Sequence, residues 1–414
     1  MAEEDDIFPT GLGVEEARAF VVAISRARKL PAESVPLSVA TGRILASDVA
    51  ATRDVPGFAN SAMDGFALRA DDLPHTGEKR LRLAGEIFAG GSAAPNVEAG
   101  TCLRITTGAP LPESADTVVV KENTRIENDH VIIAAGTMPG ANVRPAGEDY
   151  RSGDTALGRG CRLGPAQLGV LASFGMTDVP VLRRPRTVLL TTGDELVAPG
   201  ERLGFGQIHD SNRNSLGGLL ESFGVELVRH ERVRDDPAAL RDALQRAAAE
   251  ADLIVSSGGV SAGAADFLPR LVGEIGKVHF WKVRMKPGMP FLFGQIDQAF
   301  LFALPGNPVS GFATCMTLLR PALDAMAGVA PTGYPLRARL RTGIDKRHAR
   351  AEFQRARLQC DENAVLWAIP HAKQGSGMLR GLAEADALIL LPERERAFAV
   401  GYIVEVLPLP GWPG

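Results

Sequence analysis

Thr187-Val-Leu-Leu-Thr-Thr-Gly-Asp-Glu195, Leu253-Ile-Val-Ser-Ser-Gly-Gly-Val-Ser-Ala-Gly-Ala-Ala-Asp266 and Phe300-Leu-Phe-Ala-Leu-Pro-Gly-Asn-Pro308 share one design. Each is a short aliphatic run that stops at a turn of small residues. Such a run reads as a buried parallel strand opening into a loop. Open α/β sheets place ligands at the carboxyl ends of their strands. Loops there offer backbone N–H groups to an anion. Three in one segment point to a phosphate-type ligand site.

Strand and helix patterns alternate around these runs over residues 185–331. Asp236-Pro237 supplies an N-cap with proline at the first helical position. Ser211 or Asn212 is the expected cap of a helix with Leu216, Leu219, Leu220 and Phe223 on one face. This predicts a doubly wound α/β domain. An N-terminal helix carries Val14, Ala17, Val21 and Ile24 on one side. Residues 7–51 are expected to join 154–184, where a helix packs back on the first. Residues 52–153, dense in Gly and Pro, read as an inserted β-rich domain. Residues 332–414 return to short strands and predict a small β-barrel. The fold class is therefore multidomain, α/β plus β.

Composition narrows the function. The chain has 414 residues, 45% hydrophobic, with a formal net charge of −4. That balance gives no electrostatic footprint for nucleic acid. No apolar run approaches the roughly twenty residues of a membrane span. The acidic start Met-Ala-Glu-Glu-Asp-Asp does not read as a signal peptide. Four scattered cysteines are expected to be reduced core residues of a cytoplasmic protein. No Cys or His spacing suits zinc, so a metal here would be held by oxygen ligands.

The strand tips carry the chemistry. After the first run come Gly193, Asp194 and Glu195; either acid faces a ligand, or both simply favour a first helical turn. Ser257, Gly258, Gly259, Ser261 and Gly263 pack hydroxyls beside glycines, which lets backbone amides approach a ligand closely. The spacing matches neither the nucleotide loop nor the dinucleotide fingerprint. Asp266 is a magnesium candidate, because hard cations choose carboxylate oxygen. Asp236 suits the helix cap, which leaves Asp235 for the site. Pro305, Gly306, Asn307 and Pro308 form a tight turn into a helix. Lys282, Arg284 and Lys286 alternate, and strand geometry places them on one face, either solvated or turned to an oxyanion.

The wording of these segments resembles a family. TTGDEL, SSGGVSAGAAD, FWKVRMKPG and LPGNPVS, with NSAMDGF and RITTGAP upstream, are similar to the molybdenum-insertion enzymes of molybdenum cofactor synthesis. These are the MoeA-type molybdopterin molybdotransferases, related to the C-terminal part of gephyrin. The likeness runs from about Gly11 to the C-terminus, and six motifs in one order make it specific.

The resemblance implies substrates, metal and partners. Molybdate and adenylylated molybdopterin would be substrates, with Mg²⁺ assisting release of AMP. Glu195, Asp235 and Asp266 would orient Mg²⁺ and the phosphate. Lys282, Lys286, Arg355 and Ser376 would hold molybdate. Asp64 (counted with the catalytic carboxylates), Thr107 and Asp149 would reach the cleft of a partner subunit in a homodimer. A transient contact with the pathway's adenylyltransferase is also implied. The chain departs from the family at Met289, where a second cation is usual; Arg284 is the expected compensation. Competing readings are a molybdopterin adenylyltransferase, a nucleotide-sugar or pyrophosphate hydrolase, and a gephyrin-like scaffold anchoring receptor tails. Flanking β domains oppose the first. A start close to the first helix favours a free-standing enzyme over the scaffold.

Overall fold

The computed structural model describes residues 8–91, 95–259, 267–331 and 335–412. Two compact units emerge: Met1–Glu33 with Leu182–Gly414, and Ser34–Val181.

The first unit is built on a seven-stranded sheet. Its elements are β1 (Thr10–Leu12), α1 (Val14–Ser25), β2 (Arg186–Thr192), α2 (Ser211–Ser222), β3 (Glu226–Val233), α3 (Pro237–Glu250), β4 (Leu253–Ser257), α4 (Phe267–Ile275), β5 (Lys277–Val283), β6 (Leu292–Ile296), β7 (Ala299–Leu304) and α5 (Pro308–Thr314). The strand order is β1-β5-β6-β7-β4-β2-β3. Strands β7, β4, β2 and β3 run parallel, so the three glycine-bearing tips lie side by side. Strand β6 is antiparallel to both neighbours, which makes the sheet mixed. Only two residues, Asp297 and Gln298, separate β6 from β7, and so tight a connection cannot carry a parallel crossover.

The central strands are buried on both faces, as their unbroken aliphatic runs require. Leu244, Ala247, Leu268 and Leu271 of α3 and α4 close one face over Val188, Leu190, Ile254 and Leu301. After α5 the helix continues as a π segment, Cys315–Leu319, and ends at Ala327. Helix α1 packs on this continuation. The expectation that residues 7–51 and 154–184 form one helical domain does not match the division into units. Strand β1 and α1 belong to the α/β unit, and the helix Pro165–Ser173 shares a separate core with Leu45, Val49, Val179 and Val181.

The C-terminal strands close into a five-stranded barrel. Ala351–Cys360 pairs with Leu366–Pro370, then come Leu336–Leu340, Ile403–Pro408 and Ala387–Leu391, which returns to Ala351–Cys360. Met285–Lys286 joins this barrel as a parallel edge piece.

In the second unit a six-stranded sheet runs Thr117–Val120, Gly65–Leu68, Thr101–Ile105, Glu78–Ile87, His130–Ala134 and Thr124–Glu127. Gly65 is required there: a Cβ at that position would lie 2.0 Å from the Val119 carbonyl oxygen. Cys102 and Cys315 are buried, whereas Cys360 is exposed, and all four cysteines are free thiols. Burial pushes the Cys102 thiol up to about 12.

Phe302 is fully buried, with the Phe293 ring centroid 4.9 Å away. Phe302→Ala is therefore expected to cost about 3–5 kcal/mol in urea unfolding of the α/β unit. A change below about 1 kcal/mol would contradict this packing.

Candidate functional site

A cleft of about 720 Å³ opens at the tips of β2, β4 and β7. Its walls include Thr192, Glu195, Asp210, Asn212, Asp235, Ser257, Gly258, Gly259 and the turn Pro305-Gly-Asn-Pro308. Pro290, Gly377 and Leu379 add a rim from the barrel side. Gly258 makes the close packing of two tips possible. It has φ +98°, and a Cβ there would stand 2.4 Å from the Thr192 carbonyl oxygen.

The floor is tied together by a residue expected only to cap a helix. The N-cap of α2 is Asp210, which accepts from the Arg213 amide at 3.0 Å. Asn212 lies inside the helix. Its side-chain amide donates to Ser257 Oγ at 2.8 Å and to the Gly306 carbonyl at 2.7 Å. One side chain thus joins α2, the β4 tip and the β7 turn. Asp210 also accepts from the Thr191 hydroxyl at 2.7 Å, and His230 Nε2 stands 3.0 Å from that hydroxyl. Among the described residues, Thr192 Oγ1 and Asn212 Oδ1 are enclosed here without a hydrogen-bond partner.

Carboxylates crowd one end. Asp236 caps α3 through the Ala239 amide at 2.8 Å, and Asp235 is left beside Glu195 and Asp194. The Asp235 amide donates to Asp194 Oδ1 at 3.4 Å. Desolvation, then the charges of Glu195 and Asp194, hold the Asp235 carboxyl above the usual aspartate range. The Glu195 carboxylate folds back over Gly193, where a Cβ would lie 2.5 Å from its oxygen. Among the described residues no three His, Cys, Asp or Glu side chains gather as a metal cage. Ser261, Gly263 and Asp266 lie outside the described residues.

The cations do not share a face. Lys282 adopts φ +60°, which breaks strand alternation, and its ammonium lies 3.7 Å from the centre of the Trp281 ring. Arg284 turns to Glu393 at 2.9 Å. Lys286 pairs with Glu352 at 3.1 Å and remains half-exposed. Arg284 does not compensate for Met289; instead the Arg350 guanidinium stands 3.9 Å from the Met289 sulfur. Arg355, expected on the anion, is 1% exposed. Its guanidinium donates to the Met378 and Lys373 carbonyls at 2.8 and 3.0 Å and to Gln374. It shapes the loop that carries Ser376, whose carbonyl accepts from the Val309 amide at 3.1 Å.

Within the second unit, Asp64 and Thr107 meet at one sheet end, because Gly65 pairs with Ile105. Asp64 Oδ1 accepts from the Thr107 amide and hydroxyl, each at 2.9 Å. These bonds, Thr107's amide first, hold the Asp64 carboxyl below its usual range, and Lys121 lies 3.6 Å away. Asp149 is exposed elsewhere in that unit, and its amide donates to the Val55 carbonyl.

Comparison with known proteins now decides the family. Residues 12–175 match the MoeA N-terminal region (domain I and II), 188–325 a probable molybdopterin binding domain, and 337–409 the MoeA C-terminal region (domain IV). A molybdopterin molybdenumtransferase of Haemophilus influenzae is 35% identical, covering 91% of this chain and 93% of its own. The chain belongs to the MoeA family of molybdopterin molybdenumtransferases. A second relative so named, from Mycobacterium tuberculosis, is 36% identical over 91% of this chain and 95% of its own. The crystal structure of a molybdopterin biosynthesis MoeA protein from Pyrococcus horikoshii superposes with a TM-score of 0.82, at 28% identity, over 96% of this chain and 100% of that one. With the MoeA family comes the enzyme class, a transferase. Its three matched regions also set aside an adenylyltransferase made of the α/β domain alone.

The raised Asp235 carboxyl has a sign. A group raised on folding stabilises only while protonated, and that contribution is lost as pH rises through its folded titration. Asp235→Asn is therefore expected to raise the melting temperature at neutral pH. The gain should shrink as pH is lowered through that titration; an equal gain at every pH would refute the repulsion.

Proposed function

We propose that the cleft binds adenylylated molybdopterin and that the enzyme transfers molybdenum from molybdate to the pterin, releasing AMP. The observation that carries this reading is the floor joined by Asn212, which brings the small-residue tips of β4 and β7 to one cleft. An elongated ligand with a phosphate over those tips suits it. The amides at Gly259 and Gly306 supply close-approach donors for the phosphate.

Mg²⁺ fits the acidic end. Asp235, Glu195 and Asp194 are oxygen donors whose mutual repulsion a hard cation relieves, and magnesium needs only one or two protein carboxylates beside substrate phosphate. Asp235 and Glu195 would hold it, with Asp266 as the third ligand, and it would neutralise charge on the phosphoanhydride. The chain's own residues do the rest. The glycine turns orient the phosphoanhydride, and Asn212 keeps the two turns in register. Water would add to the pterin-side phosphorus as its P–O bond to AMP breaks and AMP leaves, and two Mo–S bonds would form to the pterin's dithiolene sulfurs as one molybdate oxygen departs as water with the two thiol protons. Those sulfurs belong to the substrate, so no cysteine ligand is required. Lys286 and Lys282 would hold molybdate, with Ser376 on the adjoining loop and Arg355 shaping it. Asp64 and Thr107 would complete the cleft of a partner copy in a homodimer.

Lys286→Ala is expected to raise the molybdate concentration for half-maximal activity by roughly tenfold or more, the cost of one charge-assisted contact. An unchanged requirement would remove Lys286 from the oxyanion site. Chelation of divalent cations should stop AMP release and added Mg²⁺ should restore it; release that persists in chelator would refute the metal's part.

A further inference from the structure

Lys286 and Glu352 are direct partners in the short parallel ladder that joins Met285–Lys286 to the barrel. The Glu352 carboxylate is buried, with only 7% of its side chain exposed. One oxygen lies 3.1 Å from the Lys286 ammonium. The other lies 3.2 Å from His348 Nε2. Among the described residues neither ring nitrogen of His348 finds a hydrogen bond of good geometry, and both are buried. A single carboxylate therefore stands between two bases, one always charged at neutral pH and one that gains its charge on acidification.

We propose that Glu352 sets how much positive charge Lys286 presents to the oxyanion, and that the proton on His348 governs Glu352. This rests on the reading of Lys286 as an oxyanion ligand. With His348 neutral, Glu352 neutralises Lys286. A proton taken from solvent onto His348 Nε2 turns Glu352 Oε2 into its counter-ion, and the Lys286 charge is then less compensated. Glu352 is a positioning residue, acting on the anion only through Lys286.

The surroundings permit this. Lys346 is 2% exposed, and its ammonium donates to the carbonyls of His348 and, at 2.8 Å, Arg394. It is thus committed to backbone. Desolvation is the largest influence on His348 and lowers its titration; Glu352 favours its protonation, while Lys286, Lys346 and Arg350 oppose it. Glu393 and Glu395 act on Lys346 from the neighbouring loop, and Glu393 is itself tied to Arg284.

The test is molybdate affinity of the full-length protein by calorimetry, from about pH 8 to about pH 5, through and below histidine's ordinary titration because burial lowers that of His348. Comparing proteins at each pH cancels the ligand's own protonation. Wild-type affinity should rise as pH falls. His348→Gln should be flat at the weak, alkaline value. Glu352→Gln, which keeps an acceptor for Lys286 but removes the charge, should bind about fivefold more tightly at about pH 8. Weaker binding by a folded Glu352→Gln protein, or an unaltered slope in His348→Gln, would overturn the proposal. Should Glu352→Gln not fold, the His348→Gln slope decides alone. Lys286→Ala separates the levels: no effect there defeats the oxyanion role itself. An effect there with none at Glu352 or His348 defeats only this inference.

Discussion

Two hydrogen bonds from one side-chain amide, Asn212 to Ser257 Oγ and to the Gly306 carbonyl, hold the cleft floor as a single piece. Parallel strands β2, β4 and β7 bring three small-residue tips to one edge, but a sheet alone does not fix the loops beyond its last hydrogen bond. Asn212 does so from a third direction, because Asp210 caps α2 and turns its first residues toward the tips. The bond to Ser257 is buried and that to Gly306 partly so, and a buried amide donor left unmade costs roughly 1–3 kcal/mol, so the arrangement is preferred over loosened ones. Glycines at 258 and 306 keep the surface low enough for backbone to meet a ligand.

Charge is distributed around that surface by separate means. The acidic end arises because Asp236 is used as a helix cap, which leaves Asp235 against Glu195 and Asp194. The basic residues are managed by the barrel: Lys286 meets a buried carboxylate from Ala351–Cys360, and Arg355 is buried in the loop beside it. In the proposed reading the α/β sheet serves phosphate-type recognition and the C-terminal barrel sets the cationic side. Among the described residues no helix is long and apolar enough to cross a membrane.

Much of this was legible in the sequence because local physics carried it. The β2, β4 and β7 runs are buried on both faces and read as unbroken aliphatic stretches. Asp236-Pro237 announces a helix start whatever surrounds it, and the cap is where the dipeptide places it. What escaped depends on distant partners. Strand β1 has three residues, too few to show a period, and exists because β5 offers an edge. Asn212 reads as a cap since its real partners lie 45 and 94 residues away. Lys282 breaks alternation through a left-handed backbone that no lysine advertises. Arg355 is placed on the anion by the family resemblance alone, and its burial depends on a loop folding over it. Glu195, Asp235, Ser257, Gly258, Gly259 and the Pro305–Pro308 turn line one cleft, but spacing alone did not reveal that the three cations turn to three different partners.

The most direct trial is a diffraction measurement on crystals soaked with adenylylated molybdopterin. The account predicts its phosphate over the Gly258 and Gly306 turns, within hydrogen-bond distance of the Gly259 and Gly306 amides. Ligand density in another pocket, with no phosphate at those turns, would contradict it.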